Sequence, residues 1–328
     1  MMLFGALLSV IVPLSLLTWA ISMLGFTYMG SEAPIYPISP GRWLLTVTLP
    51  LFLAISGLRK KSVTSGGAIL GYLVGFTMLL ASYSFFMALL AFFYTASKAT
   101  RFKAEMKKKI EADYKEGGQR DWLQVISNGG IPTSLAIIYV VDSGFRDLPL
   151  DFRSRYDTTW TALALMSAYA CCCGDTWASE IGTVMGSKTP RLITTLSKVP
   201  VGTNGAVSFV GLLSSAVGGF MVGCGFYIGL LISFSSPAFK TATPQWPVMV
   251  FAALAGLVGS LIDSLLGALF QYSALDLRTK RVVSTATTTT EYICGWPVLD
   301  NNGVNMLSSL LTSMIMPGIC FAWWPAGA

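Results

Sequence analysis

Long apolar runs dominate the chain, at 2–27, 43–58, 66–97, 126–141, 158–182, 204–233, 247–272 and 303–325, and short charged connections separate them. A helix needs about 20 apolar residues to cross the hydrocarbon layer, with about 17 as the lower end. In lipid it must also satisfy every backbone N–H and C=O internally. Runs this long and this frequent point to a bundle of membrane helices. Composition agrees, since only 12% of residues are charged, where a soluble domain carries about a quarter. The expected fold is all-α, a polytopic transmembrane bundle forming one domain over 1–328.

The run 66–97 is either one long tilted helix or two short ones hinged around Ala81-Ser82. Charge placement chooses between them, because cytoplasmic loops concentrate Lys and Arg. Most of the 22 basic residues fall in four connections: Arg59 to Lys61, 98–120, Lys188 to Lys198, and Arg278 to Arg281. All four share a side only if 66–97 crosses twice. About nine membrane segments follow, with the N-terminus cytoplasmic and the C-terminus on the far side. The first run lacks a basic stretch ahead of it and is long enough to span, so it reads as a retained helix. No Arg- and Ser-rich transit segment is evident, which makes the endoplasmic reticulum the expected membrane.

The one sizeable polar piece, 98–125, reads as a basic amphipathic helix on the cytoplasmic side, closed by Gly117-Gly118. Its lysines suit anionic headgroups, and the acids Glu105, Glu111, Asp113 and Glu116 among them argue against nucleic acid as a partner. Cys171, Cys172, Cys173, Cys224 and Cys320 lie in apolar runs and Cys294 in a polar connection. That is buried-thiol usage, with neither a disulfide framework nor metal-ligand spacing.

Three acids break the apolar pattern. CCCGDTWASEIG sets Asp175 and Glu180 inside one run, and LAGLVGSLIDSLLGALF sets Asp263 inside another. An acid at membrane depth costs about 2.5–3.5 kcal/mol on insertion scales, so it marks function by default. Five residues apart on a helix, Asp175 and Glu180 point roughly 140° away from each other. In the expected orientation other polar groups reach the same depth: Lys98; then Lys198, Gly202, Thr203, Asn204 and Gly205; then Asp300, Asn301, Asn302 and Asn305. Each has a structural alternative. Gly256, Gly259, Ser260 and Gly267 suit tight helix packing, and Thr203-Asn204-Gly205 suits a helix N-cap. Ser179 and Thr176 suit bonds to a helix carbonyl, and the acids suit a buried salt bridge to Lys98 or Lys198.

Taken together, hard oxygen ligands suit Mg²⁺ bridging carboxylates to phosphate oxygens. A glycine-rich turn opening a helix offers backbone N–H groups to an anion. This is the equipment of phosphoryl or nucleotidyl transfer. The chain has no His, which removes His acid–base work, His-ligated zinc and a Ser-His-Asp triad.

The segments SKATRFKAEMKKKIEADYKEGGQRDW, CCCGDTWASEIG, LSKVPVGTNGAVS and GSLIDSLLGALFQ resemble the DUF92 family of membrane proteins, nearly end to end. That family includes the plant phytyl-phosphate kinase. More distantly, the pattern is similar to dolichol kinase, phytol kinase and the CDP-diacylglycerol synthases, which use CTP or another nucleotide with Mg²⁺ on a lipid hydroxyl or phosphate. The resemblance implies that Asp175 and Asp263 bind metal, with Glu180 as a further acid. It implies Lys198, Gly202, Thr203, Asn204 and Gly205 near nucleotide phosphates, and puts Lys98 and Arg101 at family-like positions. The loop departs from the CDP-diacylglycerol synthases in lacking an acid after Thr203.

The function expected is a Mg²⁺-dependent membrane kinase that converts a phytyl- or geranylgeranyl-type polyprenyl monophosphate to the diphosphate with a nucleoside triphosphate, CTP being favoured. Asp175, Asp263 and Lys198 would be catalytic, and Asn301, Asn302, Asn305 and Ser179 would face the substrate. The expected partners are an isoprenoid lipid phosphate, a nucleotide and the bilayer. The rivals are a CTP-dependent lipid cytidylyltransferase and a lipid or ion-coupled transporter. Transporter folds often carry internal repeats with broken helices; no repeat is evident here, although GGIP, Gly129 to Pro132, opens one span irregularly.

Overall fold

The computed structural model describes residues 38–103, 106, 118–187, 189–234 and 237–325, with 13, 15–17, 19–21 and 23–28 of the first run. Most of the expected first span, 2–27, lies outside the described residues, as do 104, 105 and 107–117 of the expected amphipathic piece, 98–125. The described ends of that piece run into the flanking helices, one ending at Arg101 and the next starting at Trp122.

Helix α1 runs Pro40–Arg59, with Pro40 in the first turn and Ser39 as its N-cap accepting from the Arg42 N–H. Helix α2, Ser65–Ala81, starts where the Thr64 hydroxyl accepts from the Gly67 N–H at 3.2 Å. At Ser82 the backbone turns extended (φ −160°, ψ 144°), and α3, Tyr83–Arg101, begins immediately after. The run 66–97 is therefore two helices. They double back, because the Arg101 guanidinium at the end of α3 donates to Ser62 Oγ, just ahead of α2, at 2.8 Å.

The chain continues through α4, Trp122–Ser143, and α5, Tyr156–Met185. It then forms the hairpin β1 (Arg191–Leu192) and β2 (Ala206–Val207) before α6, Phe209–Ile232. After α7, Pro247–Phe270, a three-stranded antiparallel sheet forms in the order β4-β3-β5, from β3 (Ser273–Asp276), β4 (Val282–Val283) and β5 (Thr290–Cys294). The last helix is α8, Asn301–Trp323. The expectation of an all-α chain omitted these short strands. They lie in the polar connections, where Gly202, Gly205 and Gly295 adopt positive φ and let the chain turn.

Among the described residues α1, α4, α6, α7 and α8 are long and apolar enough to cross a membrane; α2, at 17 residues, is a shorter apolar helix. At the centre stands α5, buried without interruption from Thr161 to Gly174. A helix apolar all round belongs inside other helices, and α3, α4, α6, α7 and α8 surround it. Glycines set these contacts. A Cβ at Gly174 would fall 2.6 Å from the Gly256 carbonyl oxygen, and one at Gly259 would fall 2.5 Å from Cys171 Cβ. For Gly256 and Gly259 the packing alternative raised by the sequence is thus realised.

The two ends of the bundle differ. One end gathers the basic connections: Arg59 to Lys61, Arg101, Arg120, and the segments after α5 and α7. The other is closed by Arg42. Its guanidinium donates to Asp147 Oδ2 at 2.8 Å, to the carbonyls of Leu79 and Leu80 that end α2, and to the Phe145 carbonyl. Asp147 Oδ1 in turn accepts from Ser82 Oγ at 2.7 Å and from the Tyr83 N–H that starts α3.

Candidate functional site

Four helices bring polar side chains together inside the basic half of the bundle. From α5 comes Asp175, about ten residues before the helix ends; from α7 comes Asp263, which is buried. Their carboxyls lie within hydrogen-bonding reach of one another. The close approach of α5 and α7 produces this meeting, because Gly174 precedes Asp175 and Gly259 lies one turn before Asp263, both at backbone contacts. From α8, the Ser308 hydroxyl donates to Asp263 Oδ2 at 2.8 Å. One turn earlier, Asn305 Nδ2 donates to Asn128 Oδ1 of α4 at 3.3 Å. Asn305 Oδ1 is buried and has no hydrogen-bond partner among the described residues. Ser127 Oγ meets Asn302 Oδ1 at 3.5 Å.

An unsatisfied buried carboxamide oxygen is costly, and two facing carboxyls without an adjacent cation are more so. Neither belongs in a merely structural core. The donors are all oxygen, the set hard divalent cations prefer. Mg²⁺ takes one or two carboxylates and completes its shell with water and phosphate, so these residues fit it. No group of three or more His, Cys, Asp or Glu converges among the described residues. The expected third metal ligand, Glu180, is accordingly not part of such a cluster. Its position five residues along α5 turns it away, and its charge acts on Arg120 as well as on Asp175.

Other sequence candidates are placed differently. The GTNG turn does not open a helix; α6 is capped by Ser208, whose hydroxyl accepts from the Gly211 N–H at 3.1 Å. Gly202 to Gly205 instead leads into β2 and packs on the last turns of α7, where a Cβ at Gly205 would meet the Ser264 carbonyl oxygen at 2.5 Å. Two of its amides are engaged: Thr203 N–H donates to the Pro200 carbonyl and Asn204 N–H to Ser273 Oγ. Lys198 is exposed and pairs with Arg191 by a strand bridge. Lys98 is exposed over the Tyr94 ring, 4.5 Å from its centre. Arg101 ties α3 to the α1–α2 turn through Lys60 and Ser62. Asn301 is exposed at the start of α8, where Asp300 is the cap. Ser179 is exposed, its hydroxyl returned to the Asp175 carbonyl at 3.0 Å. Of the proposed substrate contacts, Asn302 and Asn305 join the cluster, and Asn301 and Ser179 do not.

Sequence reasoning missed Asn128, Ser127, Ser308 and Arg120. The signal for Asn128 was a carboxamide in an otherwise apolar run, beside the irregular GGIP. Arg120 was absorbed into the basic connection. In the fold its guanidinium donates to Ser97 Oγ at 2.8 Å and lies over the Phe93 ring. Burial pulls it below the ordinary arginine value, with Glu180 opposing.

A family model described as integral membrane protein DUF92 matches residues 48–313. Protein PGR of Arabidopsis thaliana is 40% identical over 274 residues, covering 84% of this chain and 94% of that protein. An uncharacterized membrane protein of Methanocaldococcus jannaschii is 28% identical, covering 70% of this chain and 84% of its own length. Protein VTE6, chloroplastic, of Arabidopsis thaliana is 29% identical, covering 68% of this chain and 61% of its own length. No solved structure matches the chain.

Proposed function

The chain belongs to the DUF92 family of integral membrane proteins, and from that premise we propose that it is a membrane-embedded kinase. It transfers the γ-phosphoryl group of a nucleoside triphosphate, CTP in our reading, to an isoprenoid monophosphate and yields the diphosphate. The family resemblance to a phytyl-phosphate kinase supports the substrate class. The observation that carries the reading is the facing pair Asp175 and Asp263 with the unpartnered Asn305 Oδ1, enclosed by α4, α5, α7 and α8.

Asp175 and Asp263 would hold Mg²⁺, which supplies charge neutralisation across the phosphates. Ser308 holds Asp263 in one orientation through its 2.8 Å bond, and Asn128 fixes Asn305 in the same way. An acceptor phosphate oxygen attacks the γ-phosphorus, the bond to the β–γ bridging oxygen breaks, and the nucleoside diphosphate leaves. A monophosphate has its second pKa near 6, so at neutral pH the attacking oxygen is already ionised and no general base is required. Phosphoryl transfer depends on positioning and electrostatics, which accords with a site of acids and amides in a chain without His. In our reading, supported by the positive-inside rule, the basic end of the bundle faces the cytoplasm, with about nine segments and a cytoplasmic N-terminus. We place the chain in the endoplasmic reticulum, a point for imaging of the tagged full-length protein.

The test is purified full-length protein in detergent with Mg²⁺, γ-labelled CTP or ATP, and geranylgeranyl monophosphate. Labelled diphosphate that disappears in Asp175→Asn is the expected result. Formation of a CMP-lipid would replace the kinase with a cytidylyltransferase. Substrate movement across liposomes without turnover would replace both with a transporter.

A further inference from the structure

Beside the carboxylate cluster lies a second feature that the reaction above does not use. A groove of about 100 Å³ opens between α1, α2, α3 and α4, several times what a water needs on the same measure, about 10–15 Å³. Its walls are apolar, among them Leu53 and Ala54 of α1, Val74 of α2, and Phe86 and Leu90 of α3. Gly67, Gly71 and Gly75 recur every four residues along α2, so they make one straight trench down that helix. Two of these glycines permit close packing. A Cβ at Gly67 would clash with the Arg120 carbonyl, and one at Gly75 would lie 3.0 Å from Pro50 Cβ. Gly71 differs, for a Cβ there would meet nothing within 4 Å. It leaves space, and packing does not explain it.

The polar end of the groove is formed by Arg120, Gln124 and Asn128, with Tyr169 of α5 alongside. Tyr169 is fully buried, and among the described residues its hydroxyl has no hydrogen-bond partner; the same holds for the buried Gln124 Oε1. Arg120 makes one side-chain hydrogen bond, to Ser97, and no ion pair with any described residue. Glu180 acts on Arg120 electrostatically but makes no salt bridge with it, and a guanidinium carries five N–H donors, so the polar end of the groove is complementary to an anion. Asn128 belongs both to the groove and to the carboxylate cluster through Asn305, so the two spaces adjoin.

We propose that this groove seats a single-chain lipid, its apolar chain in the trench along α2 and its anionic headgroup on Arg120, next to Asp175 and Asp263. On the kinase reading, on which the identity of the lipid rests, the occupant is the isoprenoid monophosphate itself. Arg120 is then a binding residue for the acceptor phosphate, and the space beside Gly71 limits which chains fit.

Binding of geranylgeranyl monophosphate to the detergent-purified full chain, measured by native mass spectrometry without nucleotide, tests this directly. Gly71→Phe fills the trench from an open helix position, and Arg120→Gln removes the charge while keeping the backbone pairing with Ser62 and Thr64. Each is expected to weaken binding at least tenfold, with Arg120→Lys staying within a few-fold of the parent. Inorganic phosphate at millimolar concentration should compete poorly; equal competition would mean a phosphate site without a lipid seat and overturn the proposal. A monophosphate with a photoreactive tail should label α1, α2 and α3 around Leu53, Val74 and Leu90, and labelling confined to other helices also overturns it. The photolabel decides the matter even where Gly71→Phe fails to fold. Loss of binding in the variants with no transfer from any nucleotide leaves the groove standing and removes the kinase. Transfer that is indifferent to Gly71→Phe and Arg120→Gln does the reverse.

Discussion

The bundle buries charge twice, and the two places are built on opposite plans. At the Arg42 end, one cation and one anion are matched. Arg42 spends its donors on Asp147 and three carbonyls, and Asp147 spends its oxygens on Arg42, Ser82 and Tyr83. At the other end, two anions face each other, and among the described residues a carboxamide oxygen goes unpartnered and Arg120, though it feels Glu180, makes no salt bridge. The first set is complete and locks helices together. The second is incomplete, and on the proposed kinase reading it suits a phosphate carried with a divalent metal. A buried charge thus signals function through the partners it is missing, and burial alone does not separate the two ends.

Mutations can break this contrast. The largest effect should come from Arg42→Leu, which leaves Asp147 without its cation. Losing one partner of a buried pair costs about 3–5 kcal/mol, so melting temperature and yield should fall sharply while turnover per folded molecule is kept. Asp175→Asn should do the opposite. It removes electrostatic stabilisation worth about 10²–10³ in rate, or roughly 2.7–4 kcal/mol, and relieves a like-charge contact, so activity collapses while the melting temperature holds or rises. A parallel drop in stability and activity in both variants would show that the two ends are not distinct. Gly259→Ala sharpens the point from between them. Its Cβ would press on Cys171, one turn from Asp175, and overpacking of this kind costs about 1–3 kcal/mol. Stability and turnover should both decline, read by thermal melting and the labelled transfer assay.

The smallest effect is expected outside the bundle. The Arg278 N–H and the Thr279 hydroxyl bond to Asp276 in the β3–β4 turn and hold its carboxyl below the usual range. A lowered folded-state value means that its contribution is present above the unfolded value, about 3.9, and is lost as pH falls through the folded one. Asp276→Asn should therefore flatten only the acid limb of a stability curve, below about pH 4, and leave neutral stability and turnover unchanged.

The bundle itself was legible because hydrophobic run length is a local quantity. The division of 66–97 was also legible, through the one-sided basic connections. Asp175 and Asp263 stood out because an acid in an apolar run is expensive wherever it ends up. Partnership was not legible. Asn128 and Asn305 are 177 residues apart and meet only because α4 and α8 both pack on α5. Periodicity did suggest that Glu180 turns away from Asp175, and the fold puts Arg120 within its electrostatic reach. The surroundings of the GTNG turn were not legible, because a glycine-rich turn reads the same whether its amides await an anion or, as for Thr203 and Asn204, are bonded to Pro200 and Ser273.

Ser82 carries a further consequence. One extended residue, fixed by Asp147 on its hydroxyl, separates α2 from α3 and sends the chain back the way it came. This single reversal sets the parity of everything downstream. Had the run stayed one helix, α5 and α7 would each enter the bilayer from the opposite face, and Asp175 and Asp263 would still meet, but open toward the opposite compartment. The Arg42–Asp147 latch, remote from any chemistry, is in this sense what decides which aqueous phase the site serves.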